Sequence, residues 1–207
     1  EPEAVPSGNL MLDHLLDASI VYCSAETYRT RRDEVMEQMA DRLRAQGHHP
    51  LVIPEGGSNG LGALAYLVAS REVPNALDAT LDATFVAVGS GGTLAGLALS
   101  EELGRVYGVA VCDDRQTFVE RVNVLAQQAQ AHGAPDLRPV GDAWDVLDAY
   151  RGPAYGVATS EVWKTIRWVA KNEGIFLDPV YTGKAMHALI SEVEAGRVGG
   201  NVLFWHT

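Results

Sequence analysis

A glycine-rich segment, Gly89-Ser90-Gly91-Gly92-Thr93, carries the clearest chemical signal in this sequence. It follows the apolar run at 85–88 and precedes a helical pattern, which predicts a turn between a buried strand and a helix. Glycines let the backbone bring several N–H groups to one point, a helix start adds partial positive charge, and Ser90 and Thr93 add hydroxyls. The segment therefore predicts a phosphate-binding turn; a tight turn needed only for packing is the alternative.

The turn alone does not determine which phosphate-bearing ligand it binds. The dinucleotide fingerprint G-x-G-x-x-G/A fails, because its last position, counted from Gly89, is Leu94. Asp113 follows the next predicted strand at a distance that keeps a nucleotide ligand open as an alternative. The pattern G-x-x-x-x-G-K-[ST] does not occur, which excludes a P-loop.

Two tyrosines form a second candidate group. Tyr155 lies in Gly152-Pro153-Ala154-Tyr155-Gly156-Val157, and Tyr181 lies in the segment LDPVYTGKAM at 177–186. A phenol can hold or transfer a proton in a polar cleft, although a tyrosine is often a core residue with a satisfied hydroxyl. Both positions are in predicted turns, where functional side chains are more frequent.

The elements around these residues alternate between strand and helix patterns. Strands are predicted at 18–23, 50–54, 85–88, 107–112 and 202–206, and helices at 30–47, 62–72, 93–104, 117–132, 160–172 and 182–195. The stretch at 134–155 is expected to be loop with one short helix. This alternation predicts an α/β fold, a parallel sheet with helices on both faces, whose ligands bind at the carboxyl ends of the strands. The turns at 55–59, 89–93 and 178–184 and the residue Thr207 are therefore the candidate site, and a domain boundary is expected near 48–55.

Composition narrows the class of protein. The chain has 207 residues, 47% hydrophobic and 21% charged, which excludes collagen-like and disordered chains. Its net charge of -11 argues against nucleic acid and anionic membranes as partners. The uncharged stretch at 83–100 contains central glycines and hydroxyls, so it is predicted to be a strand, a turn and a helix and not a membrane span. No spacing predicts a metal site or a disulfide, and the start lacks a signal-peptide pattern, so a cytoplasmic protein is expected.

Three segments together resemble a known family. PEGGSNGLGALAYL (54–67), VGSGGTLAGL (88–97) and EGIFLDPVYTGKAM (173–186) are similar to the D-cysteine desulfhydrase and 1-aminocyclopropane-1-carboxylate deaminase family of pyridoxal-phosphate enzymes. That family has fold type II, similar to the tryptophan synthase β subunit. The resemblance runs in order from GNLMLDHL (8–15) through PAYGV (153–157) to VLFWHT (202–207). It implies the middle and C-terminal part of such an enzyme, with 1–50 as the remainder of a small lobe and 51–207 as the large cofactor-binding domain.

The resemblance also implies roles for individual residues. Gly89, Ser90, Gly91, Gly92 and Thr93 would hold the phosphate of pyridoxal 5'-phosphate. Tyr155 and Tyr181 match active-site tyrosines that flank the substrate and handle protons. Thr207 matches the residue that faces the pyridine nitrogen, and Thr182 stands where deaminase members carry glutamate.

The last two positions favour one branch of the family. Deaminase members have glutamate after the motif tyrosine and leucine at the last-strand position, whereas this chain has Thr182 and Thr207. A carboxylate keeps a pyridine nitrogen protonated and a neutral hydroxyl does not. The resemblance therefore implies a D-cysteine desulfhydrase-like lyase that eliminates the β-substituent of a small amino acid to give pyruvate, ammonia and sulfide. Deamination of 1-aminocyclopropane-1-carboxylate is the alternative.

One family feature is missing. The lysine to which the family attaches its cofactor lies in a Gly-Asn-Lys-type motif followed by a Ser-Asn-His motif, and neither occurs here. Of the chain's lysines, Lys164 and Lys171 are predicted on a solvated helix face, and Lys184 is predicted at the surface in the first turn of a helix. The fold is therefore expected to be incomplete at its N-terminus and at its C-terminus, where relatives continue through a Gly-Gly turn.

Three accounts of the missing lysine stay open. The chain is part of a longer polypeptide, one subunit of a split enzyme, or a lysine-less binding protein. The first two imply a complementary N-terminal segment or subunit, and a homo- or hetero-oligomer. A non-catalytic regulator that binds a phosphate ligand or a nucleotide is the alternative from another class.

Overall fold

A computed structural model describes residues 8–207 of the chain. The chain divides into two compact units, Glu1–Ile53 and Pro54–Thr207. The assignment of these units to a small lobe and a cofactor-binding domain stays a prediction.

The described part of the first unit is helical. It contains α1 (Gly8–Leu15) and α2 (Ala25–Ala45). Ser24 caps α2, because its hydroxyl accepts a hydrogen bond from the Thr27 amide, so the helix begins before the predicted start at Thr30. A kink at Arg31, with φ of -138°, follows directly after Thr30.

The strand predictions in the first unit are wrong. The segments at 18–23 and 50–54 have no regular structure, and their apolar side chains are exposed, with Leu51 82% and Val21 62% accessible. A strand needs a neighbour to accept its backbone hydrogen bonds, and no strand lies among the described residues before Pro54. An apolar run therefore predicts a strand only where a partner strand exists.

The second unit is an α/β structure. Along the chain it contains a 3-10 turn (Glu55–Gly57), α3 (Gly60–Ser70), α4 (Val73–Ala76), β1 (Ala83–Val88), α5 (Gly92–Ala98), β2 (Arg105–Ala110), α6 (Arg115–Gln130), β3 (Trp144–Leu147), α7 (Ser160–Glu173), α8 (Thr182–Glu194) and β4 (Val202–Trp205). The four strands form one parallel sheet in the order β3-β2-β1-β4. The predicted α/β fold with a parallel sheet is confirmed.

Alternating side chains of β1 point into two separate cores. Val86 and Val88 pack in the larger core, to which α3, α5 and α6 contribute. Phe85 packs on the other face, against Ala185 and Ala188 of α8. Helices therefore cover both faces of the sheet, as predicted.

The short helix α4 was not predicted, and two further elements differ from the expectation. β3 lies within the stretch that was expected to be loop, because a four-residue strand is too short for its alternating burial to stand out in sequence. α5 ends at Ala98 and not near Gly104.

The uncharged stretch at 83–100 is β1, a turn and α5, as expected. Among residues 8–207, no helix has the length and apolar character needed to cross a membrane.

Candidate active site

The glycine-rich turn connects the carboxyl end of β1 to α5. Gly91 has φ of +98°, in the left-handed region that favours glycine. Within residues 8–207, no acceptor receives a hydrogen bond from the amides of Ser90, Gly91 and Thr93. The turn therefore offers a group of free backbone donors, which is the arrangement that binds an anion.

The turn at 55–59 contacts this segment through Ser58. The Ser58 hydroxyl donates to the Ser90 hydroxyl at 2.7 Å and accepts from the Gly92 amide at 3.1 Å. Gly56, with φ of +65°, lies so close to Ser90 that a Cβ would collide with its hydroxyl. Sequence reasoning selected this turn but missed Ser58, because nothing local indicates a contact between residues 32 apart.

The two candidate tyrosines meet beside the same turn. Their hydroxyl oxygens are 2.5 Å apart, and their rings are edge to face with centroids 5.9 Å apart. A Cβ at Gly89 would lie 3.0 Å from Cε1 of Tyr181, so the ring lies against the first residue of the turn. The structure therefore brings Gly89, Tyr155 and Tyr181 into one site.

The environment of Tyr181 favours its protonated form. Burial raises the pKa of the Tyr181 phenol well above its usual value, and the hydrogen bond with Tyr155 raises it further. At neutral pH Tyr181 is therefore a neutral hydroxyl that can donate a hydrogen bond.

Thr182 lies next to Tyr181 and is bonded to Asp178. Its side chain is buried, and its hydroxyl donates to the Asp178 carboxylate at 2.5 Å and accepts from the Asp178 amide at 2.9 Å. The same carboxylate accepts from the amides of Val180, Tyr181 and Thr182 at 2.7, 2.7 and 2.9 Å. Burial opposes ionisation, but these hydrogen bonds hold the pKa of Asp178 below its usual value. A contact between Thr182 and the cofactor stays a prediction.

Thr207 follows the last strand. β4 pairs in parallel with β1, with Trp205 opposite Val86. β4 ends at Trp205, two residues before Thr207, so Thr207 follows the carboxyl end of a strand that is parallel and adjacent to β1. Its approach to a pyridine nitrogen stays a prediction.

The prediction that Lys184 is a surface residue is wrong. The side chain is 0% exposed, and its Nζ donates to the backbone carbonyls of Val111, Arg151 and Ala154 at 3.1, 2.6 and 3.3 Å. Burial lowers the pKa of its ammonium group. The first turn of α8 is covered by segments 30 or more residues away in sequence, which local periodicity cannot show. Lys164 and Lys171 are exposed, as predicted.

Cys112 is a further neighbour of the turn. It is half-buried, and its Sγ lies 3.8 Å from the Gly89 carbonyl. Burial raises the pKa of its thiol. In the part of the chain that the structure describes, no three His, Cys, Asp or Glu residues are grouped to hold a metal ion.

Free amides, hydroxyls and a phenol pair lie together at the carboxyl edge of the parallel sheet, and these are groups that suit a phosphate-bearing ligand. The family model described as pyridoxal-phosphate dependent enzyme matches residues 2–207. The chain therefore belongs to this family, and the resemblance inferred from its motifs is confirmed.

Individual relatives agree with this membership. The chain is 41% identical to a putative 1-aminocyclopropane-1-carboxylate deaminase of Thermotoga maritima, over 99% of the chain and 66% of the relative. It is 36% identical to a bifunctional D-cysteine desulfhydrase/1-aminocyclopropane-1-carboxylate deaminase of Arabidopsis thaliana, over 97% of the chain and 52% of the relative. A D-cysteine desulfhydrase of Klebsiella pneumoniae is 35% identical, over 97% and 62%. The chain thus spans about half to two thirds of the length of these relatives.

Solved structures agree on the fold. A crystal structure of a 1-aminocyclopropane-1-carboxylate deaminase homologue is 34% identical and superposes with a TM-score of 0.87, covering 100% of this chain and 63% of the other. A serine racemase from Dictyostelium discoideum, 16% identical, superposes with a TM-score of 0.55 over 98% of this chain and 64% of the other, and shows the fold alone.

The residues of the turn fit the cofactor that the family implies. The free amides and the hydroxyls of Ser90 and Thr93 are the donors that a phosphate group needs. Gly91 has a positive φ that strains other residues, and a Cβ at Gly92 would lie 2.6 Å from the Ser58 hydroxyl. Neither glycine can therefore carry a side chain without strain or collision. Tyr181, whose ring lies against Gly89, would then border a phosphate held by the turn.

Proposed function

We propose that this chain supplies the phosphate-binding and substrate-facing part of a pyridoxal-phosphate enzyme that eliminates the β-substituent of a small amino acid and deaminates it. The observation that carries the proposal is the pair of hydroxyls of Tyr155 and Tyr181, 2.5 Å apart, against the glycine-rich turn. A turn needed only for packing does not account for two partly exposed phenols at its first residue.

Gly89, Ser90, Gly91, Gly92 and Thr93 would hold the phosphate. When bound, the cofactor supplies an electron sink for the negative charge that develops at the α-carbon of the substrate. The turn holds the phosphate through backbone donors that are already oriented, so little rearrangement opposes binding.

Tyr155 and Tyr181 would handle the proton that the reaction moves. The raised pKa of Tyr181 keeps its hydroxyl protonated, so it can donate a hydrogen bond to a leaving group and gives up a proton only to a stronger base. Tyr155 is 58% exposed and can pass that proton between Tyr181 and water or substrate. The pair therefore acts as a short proton relay at the mouth of the site.

The lysine that carries the cofactor would come from a complementary N-terminal segment or subunit. Lys164 and Lys171 are exposed on α7, and the Nζ of Lys184 is bonded to three carbonyls. None of these positions offers a free amine beside the glycine-rich turn.

Thr182 and Thr207 support the desulfhydrase branch over the cyclopropane deaminase. Opening a cyclopropane breaks a carbon–carbon bond, which benefits from a protonated pyridine ring, whereas a thiolate is a good leaving group and needs less activation. The names of the relatives include both activities, so the two substrates are the comparison to make.

The test is a side-by-side assay of the complete assembled protein. We expect faster ketoacid production from D-cysteine, with sulfide release, than from 1-aminocyclopropane-1-carboxylate. A preference for the cyclopropane would contradict the branch assignment alone. Absence of visible cofactor absorbance and of turnover with both substrates would contradict the proposed function and favour a non-catalytic phosphate-binding protein.

A further inference from the structure

The buried ammonium of Lys184 has an unusual set of partners. Its Nζ contacts three backbone carbonyl oxygens, and no carboxylate in residues 8–207 forms an ion pair with it. A protonated amine has three N–H donors, one for each carbonyl. A neutral amine has two, and its lone pair would face an oxygen. The geometry therefore fits the charged form, even though burial alone disfavours it.

The three carbonyls belong to two different segments. Val111 follows the end of β2, whereas Arg151 and Ala154 lie in the loop after β3. Ala154 directly precedes Tyr155, and Tyr181 lies three residues before Lys184. One side chain therefore joins the segments that carry the two tyrosines to the end of a central strand.

The loop has little other support. Residues 153–157 are all exposed, and Gly152 adopts φ of +74°. The described backbone hydrogen bonds of Arg151 and Val157 go to Asp148 and Ala154, which are local and leave the loop free to move as a unit. The bonds from Lys184 are long-range contacts that fix the loop to the rest of the domain.

We propose that Lys184 is a positioning residue, whose buried ammonium holds the loop at 151–154 so that Tyr155 contacts Tyr181. The importance of that contact for turnover rests on the proposed function. The connection between Lys184 and the tyrosine pair does not, because it concerns hydrogen bonds within this chain.

The reactivity of the Tyr181 hydroxyl at neutral pH reports on this role. Lys184→Met keeps most of the side-chain volume and removes the charge and the donors. If the loop is released, Tyr181 loses the Tyr155 hydroxyl and becomes more exposed, so an acetylating reagent modifies it faster. Removal of a nearby positive charge alone would slow the modification, because it disfavours the phenolate. Positioning and simple electrostatics therefore predict changes of rate in opposite directions.

The experiment is acetylation by N-acetylimidazole of the complete assembled protein at neutral pH without added substrate. Mass spectrometry gives the rate at Tyr181, with Tyr66 as the internal reference. We expect Lys184→Met to raise the Tyr181 rate at least about tenfold. Lys164→Met is the matched control, since Lys164 is 73% exposed, and should leave the rate unchanged. An unchanged or lowered rate in Lys184→Met would overturn the proposal.

A reciprocal measurement covers the case in which Lys184→Met does not fold. If Lys184 holds the loop, the loop also protects Lys184. Gly152→Val strains the loop, because φ there is +74° and a Cβ would lie 3.1 Å from the Val157 carbonyl. We expect this change to increase the acetylation rate of Lys184 at least about tenfold, measured by mass spectrometry, with Lys164 unaffected. Unchanged protection of Lys184 would overturn the proposal.

These readouts are independent of catalysis. Faster Tyr181 acetylation in Lys184→Met, in a protein that turns over neither substrate, would contradict the proposed function and support the role of Lys184. Normal turnover with an unchanged acetylation rate in Lys184→Met would support the proposed function and contradict the role of Lys184.

Discussion

The two sides of the candidate site are built in different ways. The phosphate turn, Gly89 to Thr93, offers the free backbone amides of Ser90, Gly91 and Thr93, with Gly91 in a left-handed conformation. The tyrosine side, comprising Tyr155, Tyr181 and Lys184, uses side chains that long-range hydrogen bonds bring together. In the proposed function, local backbone geometry would therefore determine cofactor binding, and tertiary packing would determine the proton chemistry. Substitutions in the phosphate turn should therefore lower cofactor affinity, whereas substitutions on the tyrosine side should lower turnover.

The largest expected effect is on the tyrosine side. Tyr181→Phe removes a proton donor and keeps the ring against Gly89, so kcat should fall by about 10²- to 10⁴-fold with cofactor affinity nearly unchanged. The control is Tyr66→Phe, because Tyr66 packs against the larger core; this variant should retain activity. Steady-state assays with D-cysteine, together with cofactor absorbance, test the separation. Loss of cofactor in Tyr181→Phe would mean that the two sides are not independent.

The next effect is on the phosphate turn. Gly91→Val forces a β-branched residue into φ of +98°, which costs about 1–3 kcal/mol and distorts the amides. Affinity for pyridoxal phosphate should fall about 10- to 100-fold, measured by equilibrium dialysis of the assembled protein. Gly133→Val has similar strain, with φ of +86°, but no atom within 4 Å of its added Cβ. It should lose stability and keep its affinity; an equal loss of affinity would point to general destabilisation.

The difference between the two sides also explains what could be predicted from sequence. The phosphate turn was predictable because glycines, hydroxyls and the flanking strand and helix are adjacent in the chain. Lys184 was not, because its position in the first turn of a helix resembles a solvated one until the loop at 151–154 covers it. The strand predictions at 18–23 and 50–54 failed for a related reason, since the partner strand is not a local property.

The prediction for Thr182 concerns stability. Thr182→Val removes both hydrogen bonds between its hydroxyl and Asp178, which should cost about 1–3 kcal/mol of unfolding free energy at neutral pH. The lowered pKa of Asp178 stabilises the fold above the pKa of the unfolded state, and this stabilisation is lost as the pH falls through the folded-state pKa. Thr182→Val raises that folded-state pKa, so its deficit should be largest near neutral pH and shrink in acid.

Urea unfolding at several pH values measures this deficit. Thr182→Ser keeps the hydroxyl and is the matched control, expected to stay close to the unmodified protein throughout. A Thr182→Val deficit that is independent of pH would show that lost packing, and not the Asp178 interaction, causes the destabilisation.

The smallest expected effect distinguishes two roles for Ser58. Its hydroxyl accepts from the Gly92 amide and donates to the Ser90 hydroxyl, so it holds the phosphate turn in place and also occupies one of its donors. If orientation dominates, Ser58→Ala should weaken cofactor affinity about two- to tenfold, the value of one hydrogen bond. If occupation dominates, Ser58→Ala should free the Gly92 amide and tighten binding. We expect weakening, because Ser58 holds Ser90, whose amide and hydroxyl both lie in the proposed phosphate site.

Ser160→Ala is the matched control for this prediction. It removes an exposed hydroxyl bonded to Glu161 and should change neither affinity nor turnover. Tighter binding by Ser58→Ala would show that the Ser58 hydroxyl competes with the cofactor phosphate for the Gly92 amide. It would also show that the geometry of the phosphate turn does not depend on the turn at 55–59.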